Sequence, residues 1–457
     1  MGVSRDFVWG VASSAYQIEG AVSEDGRAAS VWDTFSRTAG RVFNGHTGDV
    51  ACDHYHRVEQ DADLIAGLGV SAYRLSVSWP RVLPGVTGRV NEAGLAFYDR
   101  LVDALLARGV QPWVTLYHWD HPEAMQERGG WLNRESADWF AEYASVVVDR
   151  LSDRVGHWMT LNEPQIFIGM GHITGEHAPG LRLSRGESLQ ASHHALLAHG
   201  KGVQAIRAHA KRDAVIGWAP VGDVVVPVDD RAENVEAARS LMFSVRETEG
   251  NWAFNNTWFA DPVVLGRYPE EAARAFGDDA PEVLSGDMEQ INQPIDFYGM
   301  NTYSGRYARM GESGAELVEF APGTARTMFG WAVVPETMYW GPKLLSERYG
   351  LPVYVTENGL ASMDWVGLDG RVNDAGRIDF LARYIGELER AVGDGVDVRG
   401  YFQWSIMDNF EWAEGYKMRF GLVYVDYETL ERVPKASYAW YRDVIARGGV
   451  NGAGATG

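Results

Sequence analysis

The sequence is poor in cysteine, in basic residues and in long apolar runs, and each shortage excludes something. Cys52 is the only cysteine in 457 residues. No intrachain disulfide can form, and nothing demands an oxidising compartment. Lys and Arg number 41 against 62 Asp and Glu, a formal net charge of −21. That balance argues against nucleic acid or an anionic membrane surface as partner, and mildly against a phosphorylated substrate. No run of 18 or more apolar residues is present to span a bilayer. Residues 1–10 lack a basic start followed by an apolar run, so no signal peptide is expected and the cytoplasm is the default location. No Ser/Gly/Pro-rich linker divides the chain. A small, Gly-rich tail at 448–457 is expected to be disordered.

What is present reads as one soluble globular unit, with 46% hydrophobic and 23% charged residues. Short apolar runs at 7–12, 70–79, 111–119, 156–161, 214–220, 294–301, 351–357 and 398–404 read as strands. Helical patterns at 60–68, 95–108, 136–155, 188–212, 337–349 and 378–391 lie between most of them. Strands alternating with helices mean a parallel sheet, and eight such units predict a (β/α)8 TIM barrel with elaborated loops over residues 1–447. In that fold catalytic residues stand at the C-terminal ends of the strands.

Two of those ends share a grammar. Thr160-Leu-Asn-Glu163-Pro and Val355-Thr-Glu357-Asn-Gly359 each run an apolar strand into a glutamate and then turn. Two carboxylates held on separate strands suit acid/base and nucleophilic chemistry at one centre. Gln17, Arg74, His118, Trp119, Tyr303 and Trp404 fall at or near strand ends as well. Arg74 interrupts an otherwise apolar strand, and a buried arginine needs an anion. Cys52-Asp-His54-Tyr-His56 has no zinc-site spacing and no second cluster to complete it, so it reads as a helix start. His193, His194 and His199 read as surface and core residues of one helix, and no metal or organic cofactor is called for. Some of the 17 tryptophans suit stacking on sugar faces.

Together with Asp408-Asn-Phe-Glu-Trp412, those two stretches resemble the signatures of glycoside hydrolase family 1, the retaining β-glucosidase family. The likeness runs from Phe7 to about Arg447. It implies Glu163 as acid/base and Glu357 as nucleophile, their carboxyls about 5–5.5 Å apart. Residue chemistry alone does not order the two. The resemblance further implies that Arg74 and Tyr303 support Glu357, and that Asn162 contacts the sugar with Asn301 close by. Gln17, His118, Trp119, Trp404, Glu411, Trp412 and Phe420 would bind the sugar, and Trp331 would flank the leaving group. The partner is then a small β-glycoside or oligosaccharide, glucoside above galactoside or fucoside.

The rivals fare worse on the same residues. A 6-phospho-β-glycosidase carries Ser, Lys and Tyr where Glu411, Met418 and Phe420 stand, and Lys417 is one place off register. A thioglucosidase of the myrosinase kind lacks the acid, and a non-catalytic barrel would have lost one glutamate. Thr302 departs from the aromatic or His frequent at its position, and is expected to tune the pocket wall only.

Overall fold

The computed structural model describes residues 3–4, 6–245 and 252–451. Eight parallel strands form its centre: β1 (Val8–Ala12), β2 (Ala72–Ser76), β3 (Gln111–Tyr117), β4 (His157–Asn162), β5 (Val215–Ala219), β6 (Tyr298–Asn301), β7 (Val353–Asn358) and β8 (Val398–Trp404). Their order is β5-β4-β3-β2-β1-β8-β7-β6. The remaining seam closes through Asp296 N–H to the Ile216 carbonyl (2.7 Å), Asn301 N–H to that of Pro220 (3.0 Å), and a bridge between Val221 and Asn301. The result is the (β/α)8 barrel, and each strand predicted from the sequence is present.

Period-two alternation decides which side chains enter the barrel. In β2, Tyr73 and Leu75 pack outward against the helices, whereas Ala72 joins Trp113, Met159, Phe297 and Phe402 in the interior. Arg74 shares the parity of Ala72 and therefore points inward. Large interior rings require small partners. A Cβ on Gly10 would lie 2.3 Å from the Phe402 ring, and one on Gly217 would lie 2.5 Å from Phe297. These glycines are volume choices.

The helix Arg185–His209 starts at a capping box, Ser184 with Glu187, and packs on Ser136–Leu151. His193, His194 and His199 are all buried on it, so none is a surface residue as half-expected. They bond Tyr268 and Asp287, the Trp131 carbonyl, and Thr160 respectively. The loops after β5 and β6 add a three-stranded sheet, Val225–Pro227, Arg306–Gly311 and Gly314–Val318, with the helix Ala232–Phe243. The periodicity reading left these unassigned. In the Gly-rich tail, Gly448 ends the helix Ala436–Arg447 in a left-handed conformation, and Val450 and Asn451 donate to Glu389. Residues 452–457 lie outside the described ones. Among the described residues no helix is long and apolar enough to cross a membrane.

Candidate active site

The C-terminal ends of the strands surround a cavity of about 440 Å³. Glu163 and Glu357 both line it and both are buried, 6% and 3% exposed. Glu357 leaves β7 at a break in strand register between Val355 and Asn358, and β4 has a similar shift between Met159 and Asn162. Such irregularities re-aim side chains that strict alternation would turn away. Glu163 itself has φ +44° and Trp119 φ +79°, rare for residues with a Cβ. Each costs about 1–3 kcal/mol, tolerated where the surroundings over-determine the geometry. Here Glu163 N–H is tied to the Ala219 carbonyl (2.9 Å), and the Trp119 indole N–H to the Asn162 carbonyl (2.9 Å).

One hydrogen-bonded chain joins the two carboxylates. Arg74 Nη1 donates to Glu357 Oε1 (2.5 Å), and its Nη2 donates to Asn162 Oδ1 (2.6 Å). Asn301 Nδ2 donates to the same Asn162 oxygen (3.0 Å) and to Glu163 Oε1 (2.8 Å). Thr356 fixes the Asn301 amide by donating to its oxygen (2.6 Å). The Tyr303 hydroxyl donates to Glu357 Oε2 (2.6 Å). With its oxygen doubly engaged, Asn162 turns its amide nitrogen toward His118 Nε2 (3.1 Å), so that nitrogen accepts and the His118 proton sits on Nδ1.

The electrostatics separate the two glutamates. Burial, and then the charge of Glu357, push the Glu163 carboxyl well above its ordinary range. That environment favours its protonated form over the carboxylate. Glu357 instead receives a guanidinium and a phenol. Burial, reinforced by Glu357, holds the Tyr303 phenol far above its usual value, so it remains a donor. Burial and Arg74 push His118 well down, leaving it neutral. Glu411 is pushed up to about 8, by burial first and Glu357 second.

Arg74 offers a direct check on this arrangement. It is 1% exposed, and its other contacts are neutral: the Thr115 hydroxyl, the Thr356 carbonyl and Asn162. Arg74→Met is expected to lower kcat/KM at least about 30-fold, because truncating one partner of a buried charge pair costs about 2–5 kcal/mol. A folded variant with near-normal kcat would show that the pairing does not matter.

Trp404, Glu411, Trp412 and Phe420 line the cavity as expected, and His118 stacks near Trp404 (5.8 Å, 16°) and Trp412 (5.9 Å, 17°). Trp331 is exposed at the mouth, stacked on Phe329 at 4.5 Å. Arg74, Asn162 and Asn301 form the layer beneath. Gln17 stands behind Glu411: it is fully buried and donates to Asn409 Oδ1 (3.0 Å), the Phe410 carbonyl (3.0 Å) and Glu411 Oε2 (3.2 Å). Thr302 lines the cavity too. Sequence reasoning passed over Thr356, Asn409 and Phe329. The first two lie inside stretches it singled out, whereas nothing local marks Phe329. The Cys52–His56 stretch diverges in space: His54 bonds Asp61 (2.8 Å), His56 bonds Asp53 (2.6 Å), and the Cys52 thiol faces the Asp408 carbonyl (3.1 Å). Among the described residues no group of three or more His, Cys, Asp or Glu is placed to hold a metal ion.

Comparison with known proteins gives the same direction. The profile of Glycosyl hydrolase family 1 matches residues 2–450. β-Glucosidase A of Thermotoga maritima is 46% identical over 447 residues, 97% of this chain and 98% of that one. A bifunctional β-D-glucosidase/β-D-fucosidase of Bifidobacterium breve is 44% identical over 467 residues, again 97% and 98%. A solved structure of the Thermotoga maritima β-glucosidase in complex with glucoimidazole superposes with a TM-score of 0.89 at 45% identity, over 98% of this chain and 99% of that one.

Proposed function

This chain belongs to glycosyl hydrolase family 1, and on that premise we propose that it is a β-glucosidase in which Glu357 attacks the anomeric carbon while Glu163 protonates the departing oxygen. The observation that carries the reading is the pair of buried carboxylates on one cavity, one with its proton affinity raised by burial and by the other's charge, the other met by Arg74 and Tyr303. The reaction is a double displacement with retention. Attack by Glu357 forms a glycosyl ester as Glu163 gives its proton to the leaving group. Esterification removes the charge of Glu357, and with it one of the causes that, with burial and Glu411, raise Glu163. The Glu163 carboxyl falls, and it can then take a proton from the water that cleaves the ester.

Residues 1–447 act as one catalytic unit in this reading, and no cofactor enters. The indoles of Trp404 and Trp412 offer apolar faces to the pyranose. Glu411, with an affinity for protons near neutrality, can both accept from and donate to sugar hydroxyls, and Gln17 orients it. Trp331 and Phe329 receive the leaving group. Asn162 retains a second amide N–H suited to a sugar hydroxyl. A cytoplasmic location and a part in cellulose degradation, acting on cellobiose and its longer homologues, complete the proposal.

An unphosphorylated sugar suits the pocket. Glu411 and Phe420 line it, and Lys417 is drawn aside by its ion pair with Glu414 and lies 4.6 Å over the Phe43 ring. A panel of aryl β-glycosides tests the whole reading. The glucoside is expected to be hydrolysed, the galactoside and fucoside more slowly, and proton NMR to show the β anomer of the sugar appearing first. A kcat/KM for the 6-phosphoglucoside above that for the glucoside would overturn the substrate class. An α anomer appearing first would overturn the mechanism.

A further inference from the structure

Behind the sugar pocket lies a cluster of six charged side chains shut away from water. Asp364, Asp374 and Asp408 face Arg377, Arg419 and Lys435, three of each sign. Lys435 Nζ is 2.6 Å from both Asp364 and Asp408. Arg377 is 2.7 Å from Asp364 and also bonds Asp374, and Arg419 is 2.6 Å from Asp408. Five of the six side chains are at most 5% exposed. Burial raises the Asp364 carboxyl, but Lys435 and Arg377 outweigh it and bring it to about 2. Burying charges is costly, and apolar side chains of similar volume are often equally stabilising. Stability alone therefore does not account for the cluster, whereas the segments it ties together do.

Asp364 lies on the loop that continues from Glu357 and β7. Asp408 and Arg419 lie on the loop after β8, the one that presents Glu411 and Phe420. Asp374 and Arg377 open the helix Ala375–Gly393, and Lys435 directly precedes Ala436–Arg447. The cluster grips the backbone on both sides of Phe420: Arg377 donates to the Arg419 carbonyl (2.8 Å), and Asp408 accepts from Gly421 N–H (3.0 Å). Gly421 has no room for a side chain, since a Cβ would lie 2.1 Å from the Asp408 nitrogen. On the other side Asp408 leads into Asn409, which holds Gln17 against Glu411.

We propose that Lys435 is a positioning residue for sugar binding: through Asp364 and Asp408 it holds the loop of the nucleophile at a fixed distance from the loop that presents Glu411 and Phe420. This rests on the glycosidase reading above. Two charged groups on different segments, both 2.6 Å from one ammonium, leave the loops no freedom to separate. Lys435 touches no substrate, so its influence passes through Glu411 and Phe420.

The test is a double-mutant cycle. Lys435→Met alone strands three acids with two bases, whereas Lys435→Met with Asp364→Asn keeps two of each sign. The paired variant is expected to fold, to raise KM for 4-nitrophenyl β-glucoside about 2- to 30-fold, and to change kcat less. In a Glu411→Gln background the same pair is expected to raise KM by a smaller factor than in the wild type, because groups acting through one another are not additive and only the part carried by Phe420 remains. A KM within twofold of wild type, or effects that simply multiply with Glu411→Gln, would overturn the assignment. If the pair does not fold, Lys435→Arg keeps the charge but replaces the compact ammonium by a planar fork, and carries the same two comparisons. Wild-type protein inactive on every β-glycoside would refute the proposed function itself. Active wild type with an unmoved KM refutes only the positioning role.

Discussion

Glu357→Ala is expected to abolish hydrolysis of every β-glucoside, including 2,4-dinitrophenyl β-glucoside, whose leaving group needs no proton. The attacking oxygen is gone, and with it the cavity carboxylate that Arg74 and Tyr303 hold between them. Removing the nucleophile of a comparable covalent mechanism costs about 10⁶-fold in kcat, and a loss near that size is expected here. The space left beside Arg74 should accept an α-glucosyl fluoride, which mimics the missing intermediate. With Glu163 intact as base, its sugar should pass to an acceptor. Azide should enter the same space and yield the α-glucosyl azide. Substantial turnover of the dinitrophenyl glucoside by a folded Glu357→Ala would show that another group attacks.

Glu163→Ala should behave in the opposite way, because it loses the proton and keeps the nucleophile. General acid catalysis supplies about 10²–10⁴-fold, so glucosides with poor leaving groups should lose at least that much. The dinitrophenyl glucoside should still be attacked, and its glycosyl ester on Glu357 should accumulate for want of a base. Azide needs no base and should release the β-glucosyl azide, with retained configuration. The pH profile adds an independent reading. In the wild type, kcat/KM should fall as pH rises through the elevated Glu163 value, since the acid form disappears. For Glu163→Ala acting on the dinitrophenyl glucoside, that alkaline fall should be absent. If Glu163→Ala gives the α azide and Glu357→Ala the β azide, the two roles are exchanged.

The sequence by itself determined the barrel and the identity of most of the site. Eight apolar runs with helical patterns between most of them are a property of local pattern, and all eight became strands because a buried parallel strand must be apolar whatever it packs against. Arg74 was legible for a similar reason: one cation in an apolar strand demands an anion somewhere. The capping box at Ser184 and Glu187 was equally local, although it went unread.

What the tertiary structure decided is where side chains point and what they face. Glu163 and Glu357 look alike in the sequence. They differ in the fold because Asn301 bonds one, and Arg74 and Tyr303 bond the other, across segments more than 50 residues apart. The strand irregularities at β4 and β7 and the positive φ of Glu163 and Trp119 depend on neighbouring strands and loops that override local preference. The same holds for Gln17, which stands behind Glu411, and for Lys435, whose two aspartates lie 71 and 27 residues away. Pairing among charges so distant in the chain leaves no periodic trace, because it is the folded backbone, not the local order of residues, that brings them within reach of one another.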